Sequence, residues 1–160
     1  MNSVALQIGD PAPDFSLPDQ NGEMVKLSSL RGKRVVIYFY PKDDTPGCTK
    51  QAIGFTALDK EFKKLNTLVL GVSPDDEASH DKFICKYDIP YTLLCDTDKK
   101  VMTKYGAYGE KMMYGKKTIG VIRSTVWVDE KGKVKRHWRR VPKAADHPQK
   151  VLEAIQAAND

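Results

Sequence analysis

Val35-Val36-Ile37-Tyr38-Phe39-Tyr40 runs without a break into Pro41-Lys42-Asp43-Asp44-Thr45-Pro46-Gly47-Cys48, and the reading of the whole chain turns on this stretch. The first six residues are all β-branched or aromatic, the composition of a strand covered on both faces. Two prolines and a glycine then interrupt the chain. Beyond them Ile53, Phe55, Leu58, Phe62 and Leu65 fall close to helical spacing, which predicts a helix over 49–65. Cys48 is thereby delivered from the end of a buried strand to the start of a helix. Unpaired backbone N–H groups and the positive end of the helix dipole favour an anion there, and such positions lower a thiol pKa from about 8.5 into the range of roughly 3.5–7.5.

Ionisation by itself supplies little rate. A free thiol is already a few per cent thiolate at neutral pH, so complete ionisation gains only about thirty-fold. Attack on a peroxide also needs donors for the negative charge that grows on the leaving oxygen: a hydroxyl, backbone N–H groups and a permanently charged guanidinium. Thr45 offers the hydroxyl, three residues before the sulfur. The guanidinium is assigned to Arg123, in Gly120-Val121-Ile122-Arg123-Ser124-Thr125 at the head of another apolar strand.

Pro41, Thr45 and Cys48 reproduce the pattern Pro-x-x-x-Thr-x-x-Cys, and Tyr40-Pro41-Lys42-Asp43-Asp44-Thr45-Pro46-Gly47-Cys48-Thr49 resembles the bacterioferritin comigratory protein, or peroxiredoxin Q, branch of the peroxiredoxins. Gly9 to Asp19, Leu70-Gly71-Val72-Ser73, Gly115-Lys116 and the Arg123 segment are similar to that branch in order and spacing. The resemblance implies an α/β thioredoxin fold with a central mixed sheet flanked by helices. It also implies a peroxidase in which Cys48 reduces hydroperoxides through a sulfenic acid, assisted by Pro41, Thr45 and Arg123, and recycled by thioredoxin or a similar dithiol. No cofactor and no metal is expected, because the sulfur carries both electrons.

Many members of the branch carry a second cysteine at the position of Ile53. Others place it in a Ser-His-Asp segment, here Ser79-His80-Asp81-Lys82-Phe83-Ile84-Cys85-Lys86. The matching position is Ile84, and the cysteine stands one residue on, about 100° round a helix. Cys85 is taken as the resolving thiol. Cys95, at the end of the strand-like Tyr91-Thr92-Leu93-Leu94-Cys95, is the alternative and reads otherwise as a small buried hydrophobe; an external thiol is the third. A disulfide from Cys48 to a cysteine on another helix requires the first turn of the Cys48 helix to unwind.

At 160 residues the chain fits one domain over 1–160, large enough to bury about two-thirds of its unfolded surface. There is no basic residue before Lys26, no apolar run of signal-peptide length and no transmembrane stretch, so cytoplasm is expected. Three cysteines without regular spacing argue against a secreted disulfide framework. The net charge of +5 is local: Lys131 to Lys143 holds seven Lys or Arg and no acid, leaving 19 basic against 21 acidic residues elsewhere. Such a stripe with Trp138 could grip phosphates and stack a base, but it reads first as a solvated hairpin strand after the Asp129–Gly132 turn. No nucleic-acid or membrane partner is expected, and the resemblance suggests a monomer.

The remaining elements read as a hairpin over 15–27 around Asn21-Gly22, strand 67–72, helix 76–87, strand 92–95, a short helix near 99–105, strands 121–128 and 133–138, and helix 148–158. His80, His137 and His147 lack ligand spacing to the cysteines. Asp43 and Asp44 read as solvated turn residues, Tyr38, Tyr40 and Trp127 as core, and Met112-Met113-Tyr114 as core or an apolar lip near the site. A thioredoxin-like dithiol would need a Cys-x-x-Cys pair, and positions 45 and 51 are Thr and Gln.

Overall fold

In the computed structural model, which describes residues 6–113 and 115–158, the chain begins with a small antiparallel hairpin, β1 (Ser16–Pro18) and β2 (Met24–Lys26), and a 3₁₀ turn over Leu27–Leu30. There follow β3 (Arg34–Phe39), α1 (Pro46–Lys64), β4 (Thr67–Ser73), α2 (Glu77–Tyr87), β5 (Thr92–Cys95) and α3 (Lys100–Lys104). The second half consists of β6 (Tyr108–Met113), β7 (Lys116–Val121), β8 (Ser124–Val128), β9 (Val134–Trp138) and α4 (His147–Ala158).

The central sheet has the order β5-β4-β3-β8-β9. β4 runs parallel to β3 and β5 parallel to β4, each across a helical connection, whereas β8 and β9 are antiparallel. This mixed sheet between helices is the thioredoxin fold expected of the chain. β3 is its central strand, and its alternating side chains enter two cores. Val35, Ile37 and Phe39 join Leu17, Met102, Tyr105 and Val126 on one face. Val36 and Tyr38, with Tyr40 just beyond the strand, join Phe55 and Phe62 of α1, Phe83 of α2, Trp127 of β8 and Leu152 and Ile155 of α4 on the other. Cys48 belongs to this second core.

Two expectations are corrected, and one ribbon is new. α1 begins at Pro46, not residue 49: proline at the first helical position has its φ set for a helix and lacks only an N–H that would have no intrahelical acceptor. The strand expected over 121–128 is two strands, since β7 ends at Val121 and β8 starts at Ser124. The ribbon β6–β7 had no counterpart in the sequence reading, because its strands alternate no buried face with a polar one. Ile119 and Met112 are both exposed, and Tyr114 lies outside the described residues.

Candidate active site

β3 ends at Phe39, and Tyr40 to Thr45 cross the end of the sheet before α1 begins. Cys48 is therefore the third residue of the helix, and it is buried. Thr45 is the residue before the helix, with extended backbone and no side-chain cap. The first intrahelical bond is from Thr49 N–H to the Thr45 carbonyl at 2.8 Å, so the amides of Gly47 and Cys48 have no acceptor within the helix. They are available to an anion at the helix start.

Arg123 sits in the break between β7 and β8. Its neighbour Ile122 donates a backbone bond to Ala107, and its own carbonyl accepts one from Val141. Pinned on both sides, the residue sends its guanidinium to the head of α1. Nη2 lies 3.2 Å from Cys48 Sγ, and Nη1 donates to Gln51 Oε1 at 2.6 Å. The guanidinium and the helix N-terminus both present positive charge toward this sulfur. Gly47 leaves room for the approach, since a β-carbon there would come to 3.2 Å from Nη2 and press the guanidinium aside by a few tenths of an ångström. Gln51 was not anticipated. Its position three residues after Cys48, on the same helix face, is the signal that could have found it.

The Thr45 hydroxyl donates to the Lys42 carbonyl at 2.8 Å. Its hydrogen is engaged there, and the oxygen's lone pairs remain for a further partner. Pro41 and Arg123 line one groove with Met112, Val121, Ile122, Val141 and Pro142; Lys111 and Arg140 complete a cavity of about 550 Å³.

Asp43 is not a solvated turn residue. Its side chain is buried and accepts from Tyr40 Oη at 2.6 Å, Ser79 Oγ at 2.8 Å and His80 Nδ1 at 2.7 Å. The His80 Nε2 faces the Leu94 carbonyl at 2.8 Å, which can only accept. With a carbonyl on one side and a carboxylate on the other, both ring nitrogens face acceptors, an arrangement that favours the imidazolium. Burial by itself would lower the His80 pKa; the bond to Asp43 and its charge outweigh that penalty and leave it above the usual histidine value. Asp43, Asp75 and His80 bring potential metal-ligand atoms within 4.8 Å of one another, but both ring nitrogens are already occupied by this proton-bonded network. Asp44 is exposed, with a left-handed backbone (φ 59°), and meets Lys86 and Tyr87 of α2.

The three cysteines are unbridged. Cys85 lies on the exposed side of α2, whereas Ile84 packs against the second core, so the one-residue displacement turns the thiol toward solvent. Cys95 is buried at the end of β5. Burial, reinforced by Glu77, Asp76 and Asp43, pushes its thiol up to about 12. On β9, Arg136 stacks on Trp138 at 4.6 Å and His147 meets the same ring edge-on, so the ring proposed to stack a base is engaged within the protein.

A cysteine set at the head of a helix behind the central strand of a thioredoxin fold, with a guanidinium on its sulfur, defines a thiol-dependent peroxidase. Residues 8–137 match the AhpC/TSA family, and the chain belongs to that family, in its bacterioferritin comigratory protein or peroxiredoxin Q branch. It is 41% identical to peroxiredoxin Bcp of Bacillus subtilis (strain 168), over 98% of each chain. Among solved structures it is similar to Xanthomonas campestris peroxiredoxin Q, with a TM-score of 0.87 and 38% identity over 99% of this chain and 100% of that one. The same figures hold for a structure of the Xanthomonas campestris bacterioferritin comigratory protein described for its alkyl peroxide reduction activity.

Proposed function

We propose that the protein reduces hydrogen peroxide and organic hydroperoxides by attack of the Cys48 sulfur on the O–O bond. The sulfur takes one oxygen and becomes a sulfenic acid, while the second oxygen leaves as hydroxide or alkoxide and is protonated to water or alcohol. The observation that carries this reading is the 3.2 Å contact of Arg123 Nη2 with Cys48 Sγ, held in place by Gln51. The guanidinium and the backbone amides at the start of α1 receive the growing charge, and Thr45 holds the peroxide hydroxyl. The apolar groove beside Arg123, and the alkyl peroxide reduction described for the Xanthomonas campestris relative, support organic hydroperoxides as substrates.

The Cys85 thiol then displaces water from the sulfenic acid to give a Cys48–Cys85 disulfide, and a dithiol of the thioredoxin type reduces it. The exposure of Cys85 and the high pKa of the buried Cys95 favour this assignment. Such a cycle needs a compartment that keeps thiols reduced, and we place it in the cytoplasm, with the protein acting as a monomer. Replacing Cys48 with Ser abolishes peroxide consumption in an assay coupled to a thioredoxin system; full activity in that variant ends the proposal. Peptide mapping after one equivalent of peroxide yields a Cys48–Cys85 link, and a dominant Cys48–Cys95 link moves the resolving role to Cys95.

A further inference from the structure

Asp43 and Asp44 stand side by side in the segment that leads into Cys48, yet neither carboxylate serves the sulfur. Both reach across to α2, the helix that carries Cys85. Asp43 takes hydrogen bonds from Ser79 and His80 in the first turn of α2, and its own amide donates to Asp75 just before that helix at 2.8 Å. Asp44 takes them from Lys86 Nζ at 2.8 Å and Tyr87 Oη at 2.9 Å, in the last turn and directly after Cys85. The two carboxylates thus grip opposite ends of one helix.

With Cys48 buried in the first turn of α1 and Cys85 on the outer side of α2, joining the two sulfurs requires the Cys48 segment or α2 to move, and this grip ties the one to the other. We propose that Asp43 and Asp44 form a two-point clamp between the Cys48 segment and α2, and that its release limits the capture of the Cys48 sulfenic acid by Cys85. The inference rests on the assignment of Cys85 made above. Capture joins S–OH and H–S as a disulfide and releases water. The competing step is attack of the same sulfenic acid on a second hydroperoxide, which oxidises it to sulfinic acid and releases an alcohol or water. A tighter clamp therefore favours overoxidation, and a looser one favours the disulfide. Asp43 and Asp44 are positioning residues, acting through where α2 sits.

The test uses Asp44→Asn, which removes the charge but tolerates the left-handed backbone as Asp does. On rapid mixing with peroxide, the first phase, proportional to peroxide concentration, is unchanged. The second phase, independent of that concentration, accelerates by roughly two- to five-fold, as befits loss of an exposed ion pair. The sulfinic fraction formed at excess peroxide falls by the same factor. Raising the salt concentration accelerates the second phase of the unmodified protein toward that of the variant, and leaves the variant unmoved. Asp43→Asn, at the buried end, gives a larger effect, on the order of ten-fold or more. Should that variant fold poorly, Asp44→Asn and the salt series decide the matter alone. A second phase that neither Asp44→Asn nor salt alters, with the Cys48–Cys85 link still forming, overturns the clamp and leaves the resolving role of Cys85 intact. Failure of the unmodified protein to form that link overturns both.

Discussion

Arginine stands over the Cys48 sulfur where a lysine would not suffice, because one planar guanidinium meets two partners at once, Gln51 through Nη1 and the sulfur through Nη2. An ammonium could satisfy one of them and would swing on its longer flexible stem. Arg123→Lys is therefore expected to lower the second-order rate with peroxide by about a hundred-fold or more, the scale of losing one positioned charge-stabilising donor. The thermal unfolding midpoint should move little, because Arg123 is only partly buried and its charge is kept. Stopped-flow kinetics beside thermal unfolding separate the two effects, and a near-normal rate removes Arg123 from the chemistry. The place of Cys48 at a helix start was legible in the sequence, because an apolar strand, a Pro-Gly break and a helical periodicity surround it. Arg123 was named from the chemistry a peroxide needs and from the resemblance, and the fold is what brings it to the sulfur. Gln51 and Asp43 were not legible, since an amide on a helix and an acid in a turn are ordinary until the fold shows what faces them.

The position of α1 depends on how closely α4 can approach it. A β-carbon on Gly54 would come to 2.8 Å from Pro148 Cγ, and the proline ring in the first turn of α4 cannot rotate away. Alanine favours a helix over glycine by about 1 kcal/mol, whereas overpacking a fixed contact costs about 1–3 kcal/mol. The clash wins. Gly54→Ala should lower stability by about 1 kcal/mol, read as a fall of about 2–4 °C in the unfolding midpoint. A rise would mean that α4 shifts freely and that propensity decides. Elements with strong apolar periodicity, β3 and α1 above all, could be read from the sequence to within a few residues. Ends set by a single proline, the break at Ile122–Arg123 and the exposed β6–β7 ribbon could not, since backbone pairing and not a buried face defines them.

Across the whole molecule, two buried histidines whose pKa values are shifted in opposite directions shape how stability depends on pH. His147 packs against Phe55 and Trp138 and bonds to Thr125 Oγ1. Burial, with repulsion from Lys150, Arg123 and Arg136, lowers its pKa to about 4. The unfolded chain, with a histidine near 6.5, therefore binds the proton more readily, and stability falls as pH drops from 6.5 toward 4, by at most about 3 kcal/mol. His80 behaves in the opposite sense. Its pKa is raised in the fold by Asp43, with Asp75 adding to the field, so its contribution is complete below 6.5 and is lost as pH rises through the raised value. Stability should accordingly peak near pH 6.5 and decline on both sides. Denaturant unfolding across this range is the measurement. His147→Gln should make the acid limb shallower, the remainder belonging to His137, which burial also lowers, while leaving the alkaline limb. His80→Gln should remove the alkaline limb, at a lower overall stability because Asp43 loses its buried partner. If both variants keep both limbs unchanged, the histidines do not set the profile, and the Asp43–His80 bond is not the charged pair that its hydrogen-bond partners imply.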